Sequence, residues 1–323
     1  MALPTRQTST PSALVDLTDH VPDQSLSPLP YRLAGALVVL AVISSAIGAF
    51  HPGVFHDPAV TAGNARGTDL VILAAAIPAL VASMILTARG SLRGQVVWLG
   101  ALSYILYNSV FFAYGAHFNP LFLICAATLS LAVWSVVALL KEIDREGLRD
   151  HFAANTPVRA LAGYLLITTA LFALVWLKDI LPAIIDSTAP KSLAGTGMVT
   201  NPVQVTDFAF GFPLTALGAV WLWQRHAWGY LLGGVFLVYG VLESISVTMD
   251  QLFGHISDSS QSLAAVPVFA VLTLIGLVPA LVYLRDLHQA PEAREPRLAP
   301  PQSSDTAASG SGDHKQRLLL DRR

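Results

Sequence analysis

The sequence predicts an all-α fold, a polytopic membrane helix bundle of about eight transmembrane helices, and three observations carry that reading. Hydrophobic residues make up 54% of the chain and charged residues 12%, about half the ~25% charge of soluble domains. Such a surface is not built for water. Apolar stretches recur at 31–50, 68–88, 95–116, 120–140, 160–177, 204–223, 229–249 and 264–284, each close to the roughly 20 residues that cross ~30 Å of hydrocarbon. The third observation is the placement of cations. Of the 19 Lys and Arg, only Arg66, Lys178 and Lys191 fall in loops that follow odd-numbered spans. Cytoplasmic loops carry the excess of positive charge, so this pattern predicts a multi-pass protein of the cytoplasmic (inner) membrane with both termini cytoplasmic.

Residues 1–30 hold Asp16, Asp19 and Asp23 against Arg6 alone. That is unlike the short basic start of a cleaved signal peptide, so the first apolar segment is expected to be a retained helix. The stretches 1–30 and 288–323 are rich in Pro, Ser, Ala and charge without apolar periodicity. They are expected to be disordered cytoplasmic tails. Between them the chain divides into a first four-helix half, 31–142, a cytoplasmic linker, 143–158, and a second four-helix half, 159–287. The linker stretch KEIDREGLRDHFAANTPVR reads either as a short amphipathic interfacial helix or as a solvated loop.

The halves resemble each other in order. RLAGALVVL opens the first span and RALAGYLLI the fifth; TDLVILAAAIPAL opens the second and TDFAFGFPLTAL the sixth. Two arrangements remain open: a 4+4 parallel duplication about an axis along the membrane normal, or likeness by apolar composition alone.

Function is sought among polar groups within the spans, because a charged side chain in hydrocarbon is costly and normally faces protein or water. Glu243 lies fourteen residues beyond Gly229, about 21 Å along its helix at ~1.5 Å per residue. Tyr239, Ser246 and Asp250 share its face at helical spacing. The third span shows a comparable polar group in Tyr107 and Asn108, and Asp69 and Asp207 sit near the starts of the second and sixth spans. These eight residues are the candidates for an outward-facing polar cavity that takes a small solute, ion or lipid ligand. Each also has a plainer reading. Asp69 and Asp207 can satisfy free N–H groups at a helix start, Asn108 can bond a neighbouring helix, and Glu243 can be a neutral acid bonded to Tyr107 or Asn108.

Other chemistries leave no clear mark. Net charge of −2 argues against nucleic acid as a partner, and a single cysteine, Cys125, excludes an intrachain disulfide. His51, His56, Asp57, His117 and His255 fall in the external loops but form no HxxxH or HExxH spacing, so no metal is expected. No P-loop, nucleophile elbow or GxGxxG turn is present, and no cofactor is expected.

The combination RGTDLVILAAAIP, RGSLRG, YILYNSVFFAYGAHFN and NPVQVTDFAFGFP resembles a family of bacterial multi-pass membrane proteins to which no activity is attached. The resemblance covers roughly residues 66–250 and implies membrane architecture and bacterial origin. It supplies no catalytic residue. The functional classes are then a solute- or ion-handling transporter or sensor, which is favoured, an integral membrane enzyme, or a membrane scaffold subunit. The enzyme would use Glu243 with Asp207 or Asp69 as acid and base on a lipid or isoprenoid.

Overall fold

The structure is a computed structural model that describes residues 26–288. Of the tails expected at 1–30 and 288–323, residues 1–25 and 289–323 lie outside the described residues; the expected N-terminal tail is corrected at its end, where Pro28–Pro30 already belong to the first helix. Eight helices are long and apolar enough to cross a membrane: α1 Pro28–Phe50, α2 Ala59–Ala88, α3 Leu92–Gly115, α4 Phe122–Glu142, α5 Val158–Ile185, α6 Pro202–Trp223, α7 Ala227–Ser257 and α8 Ala265–Asp286. Among the described residues the only β-type pairing is an isolated bridge between Phe152 and Leu287. The chain is an all-α, multi-pass membrane protein.

In the first half, α1 packs against α2 and α4, and α3 packs against α2 and α4, closing a four-helix ring. Trp98, Leu99, Leu102 and Ile105 of α3 are buried at its centre. α7 joins the halves, packing against α2 and α3 on one side and α6 and α8 on the other. By contrast α5, α6 and α8 leave long apolar stripes uncovered, with Leu174 61% and Val278 62% exposed. Those stripes are where lipid chains would lie.

The tightest seam, between α2 and α7, depends on missing side chains. A Cβ placed on Gly63 would stand 2.5 Å from the Phe253 carbonyl oxygen, and one on Gly67 would stand 2.7 Å from the Asp250 nitrogen. Gly63 and Gly67 are spaced as in the small-residue motif that lets membrane helices approach backbone to backbone. This packing explains why α2 begins at Ala59 rather than near 68. The segment AVTAGNARG is too polar to read as membrane-spanning, yet α7 holds it in helix.

Three helices contain one widened turn: Ile72–Ala76 in α2, Phe111–Gly115 in α3 and Asp207–Gly211 in α6. In α2 and α6 the widened turn ends two residues before a proline, Pro78 and Pro213, at the start of the resuming α-helix. Proline has no N–H to donate and its ring crowds the preceding turn. A local change of pitch accommodates both.

Loops gather at two ends. At one, Arg93 Nε donates to the Leu287 carbonyl over 2.7 Å and the Ser27 amide to Glu142 Oε2 over 2.6 Å. The linker folds here as a six-residue helix, Arg145–Asp150, capped by Asp144, whose carboxylate accepts from the Gly147 amide over 3.1 Å. Leu148 is fully buried beneath it, which decides between the two linker readings in favour of a docked helix. Phe152 then packs on Tyr230 and Tyr283, with ring centroids 4.7 and 4.9 Å away. At the other end the His117 amide donates to Asp57 Oδ1 over 2.9 Å, and Thr61 Oγ1 donates to the Thr196 carbonyl over 2.9 Å.

Candidate functional site

Between α5, α6 and α8 and the face made by α2, α3 and α7 lies a cavity of about 540 Å³. It follows α7 from Phe236 to Gly254, eighteen residues or about 27 Å of helix. Toward the linker end its lining is Tyr164, Leu165 and Thr168, and toward the other end it reaches Lys191, Thr196, Asn201 and Gln261. Phe172 of α5 stacks on Phe269 of α8, with centroids 6.0 Å apart, and joins the two outer helices across it.

Three carboxyl groups face this space, each held by a donor from another helix. Asn108 Nδ2 donates to Glu243 Oε2 over 3.2 Å. Tyr107 Oη donates to Asp207 Oδ1 over 2.8 Å and Trp176 Nε1 to Asp207 Oδ2 over 2.7 Å. Thr68 Oγ1 donates to Asp250 Oδ1 over 2.8 Å. Tyr239 lies edge-on to Tyr107, with centroids 5.5 Å apart. Donors that meet a carboxylate at these distances fix its orientation and offset part of its desolvation.

Of the eight candidates, the cavity brings together Glu243, Tyr239, Asp250, Tyr107, Asn108 and Asp207. Two turn elsewhere. Ser246 is fully buried and accepts from Tyr104 Oη over 2.9 Å, so it ties α7 to α3 and lines nothing. Asp69 is 3% exposed and points into a separate small space toward α1 and α4.

The capping role considered for both aspartates is replaced by another arrangement. α2 starts at Ala59, ten residues ahead of Asp69. In α6 it is Asn201 that accepts from the Val203 and Gln204 amides, over 3.0 and 3.3 Å. Asp207 is thereby left to Tyr107 and Trp176. Lys178, the nearest cation expected for Glu243, is exposed and outside the lining, and among the described residues the one cation at the wall is the exposed Lys191.

Trp176 and Thr68 were not among the candidates. Trp176 lies near the end of its span, where a tryptophan reads as an interface anchor. Thr68 sits beside Asp69, and periodicity alone gives no reason to prefer the hydroxyl. The histidines bond loop backbone: His56 Nδ1 meets the Phe118 carbonyl over 2.9 Å and His117 Nε2 the Gly197 carbonyl over 3.2 Å. Among the described residues no three His, Cys, Asp or Glu side chains gather as a metal site would require.

Outside the membrane-spanning segments, Asp258 closes the α7–α8 turn. Gln261 and Ser260 hydrogen-bond its carboxylate and hold it below the usual carboxylate range. That turn also carries Gln261, part of the cavity lining.

Compared with family models, curated proteins and solved structures, the chain matches none. The site is therefore read from its chemistry.

Proposed function

We propose that this is a solute-handling membrane protein, a transporter or sensor, whose cavity takes organic cations with apolar bodies. The observation that carries the reading is the composition of the cavity wall. Glu243, Asp207 and Asp250 face it together with Tyr107, Phe172, Phe236 and Tyr239, and among the described residues Lys191 is the only Lys or Arg in the lining. In a low-dielectric space an uncompensated carboxylate attracts positive charge strongly, and aromatic faces hold the same charge through their quadrupoles. An apolar cation satisfies both, and the volume suits a small organic molecule.

The test uses two probes of one shape and opposite charge, tetraphenylphosphonium and tetraphenylborate, added to the purified protein in nanodiscs with empty nanodiscs as the blank. Saturable binding of the phosphonium, with none of the borate, supports the reading. Equal binding of both, or of neither, removes it.

A second reading, an acid–base enzyme acting on a lipid or isoprenoid, is favoured by one observation: Glu243 and Asp207 share a single cavity. Turnover of a lipid substrate, abolished by Glu243→Gln and by Asp207→Asn, separates it from simple binding. We also propose, from the distribution of Lys and Arg, that the protein lies in the cytoplasmic membrane with both termini inside. We propose in addition that it belongs to a bacterial family carrying the same motifs.

A further inference from the structure

The first four helices enclose a second space, on the opposite faces of α2 and α3 from the acidic cavity. It measures about 20 Å³ and is lined by Ser44, Ser45, Asp69, Ser109, Cys125 and Thr128 among apolar neighbours. That is room for about one water-sized sphere. Asp69 is 97% buried there by its 3% exposure, and its Oδ2 has no hydrogen-bond partner. Ser45 is its side-chain partner. Gly48 makes the position possible, because a Cβ at Gly48 would collide with Oδ2.

Apart from Ser45, which bonds Asp69, the hydroxyls of this wall turn their protons to backbone. Ser44, Ser109 and Thr128 donate to the carbonyls of Ala41, Ile105 and Ile124, over 3.3, 2.7 and 2.8 Å. Each hydroxyl oxygen therefore keeps its lone pairs free. The wall offers acceptors: one carboxylate oxygen and three hydroxyl oxygens. Among the described residues it contains no Lys, Arg or His.

Four oxygens free to accept, one of them carrying a negative charge, match a hard cation. One carboxylate balances a single positive charge, whereas a divalent ion would leave net charge in a dry site. The volume admits a dehydrated ion and excludes a hydrated or organic one. We infer that Asp69, with Ser44, Ser109 and Thr128, binds a single dehydrated alkali-metal ion, for which sodium is the probe, inside the first four-helix half. This site is independent of what the larger cavity binds.

The experiment follows thermal unfolding of the purified full chain in NaCl, KCl or choline chloride at constant ionic strength, at neutral and alkaline pH. A ligand that binds the folded state raises its melting temperature in a saturable way. The wild type is expected to respond to NaCl and not to choline chloride, and Asp69→Asn to lose the response. Ser109→Ala and Thr128→Ala each delete one oxygen and little volume. They are expected to raise the half-saturating NaCl concentration about tenfold, the usual effect of one lost polar contact. Identical melting in NaCl and choline chloride at both pH values means that a proton or a water fills the site, and overturns the proposal. So does a sodium response that survives Asp69→Asn. Should Asp69→Asn not fold, unchanged half-saturation in both alanine variants overturns it as well.

Discussion

The Trp176 indole donates to Asp207 Oδ2 over 2.7 Å and so ties the middle of α5 to the start of α6, two helices with little other burial. Asp207 takes its second donor from Tyr107 of α3, and one carboxylate thus connects three helices around the cavity.

Replacing Trp176 by Phe keeps the ring and removes the donor. Leaving a half-buried carboxylate oxygen without its partner costs up to about 1–3 kcal/mol, the range for a fully buried one, so Trp176→Phe is expected to lower the melting temperature in detergent. The double variant with Asp207→Asn should lose less than the sum of the singles, because the two residues share one interaction. Strict additivity would mean that the bond contributes nothing in the membrane-like state.

Glu243 tests the cavity differently, because its Asn108 partner remains available to an uncharged acceptor. Glu243→Gln should fold as the wild type does and bind tetraphenylphosphonium at least tenfold more weakly, a loss of about 1.4 kcal/mol or more. Glu243→Leu removes the polar group altogether and should bind no better. Undiminished binding by the leucine variant would show that the carboxyl plays no part in recognition.

The sequence disclosed the spans because hydropathy is a local property, summed over twenty residues without knowledge of neighbours. It disclosed the α7 stripe of Tyr239, Glu243 and Asp250 for a related reason, since helical periodicity fixes which residues share a face. It failed where a neighbour decides. α2 extends to Ala59 only because Gly63 and Gly67 meet the α7 backbone, and Asp69 is buried rather than capping for the same reason. Ser246 belongs to the polar face by angle, yet Tyr104 lies opposite and consumes it. Trp176 could be found only once α5 and α6 were known to be side by side.

The glycines of α2 give a prediction about assembly. Gly63→Leu or Gly67→Leu inserts a side chain where even a Cβ stands 2.5 or 2.7 Å from α7 backbone. Backbone cannot yield as a flexible side chain can, so each variant should cost more than the ~1–3 kcal/mol of ordinary overpacking. Gly35→Leu, in α1 where no atom lies within 4 Å of the added Cβ, is the control. Equal yields and melting temperatures for Gly35→Leu and Gly67→Leu would mean that the α2–α7 seam is looser than this packing.

If the two halves arose by duplication, residues 31–142 and 159–287 should superpose by rotation about the membrane normal. Matching the widened turns, each followed by its proline, gives the register. That register sets Asp207 opposite Ile72 and Asp69 opposite Gln204, one helical turn from the pairing that the Thr-Asp dipeptides alone suggest. An experimental structure whose first four spans cannot be overlaid on the last four in this order would exclude duplication.

Orientation across the membrane follows from the distribution of Lys and Arg and is tested at two exposed positions. Glu146 sits in the short linker helix beside Arg145 and Arg149, with 67% of its side chain exposed, at the end of the bundle that carries most of the Lys and Arg. Ala189 is exposed in the α5–α6 connection at the other end. Positive loops are retained on the cytoplasmic side, so Ala189→Cys should react with a membrane-impermeant maleimide in intact cells. Glu146→Cys should react only after permeabilisation. The native Cys125 is 7% exposed and gives little background. The two labels exchange places if the protein is inserted the other way, and the acidic cavity would then have its loop-lined end at the cytoplasm, where a solute from inside the cell would meet it first.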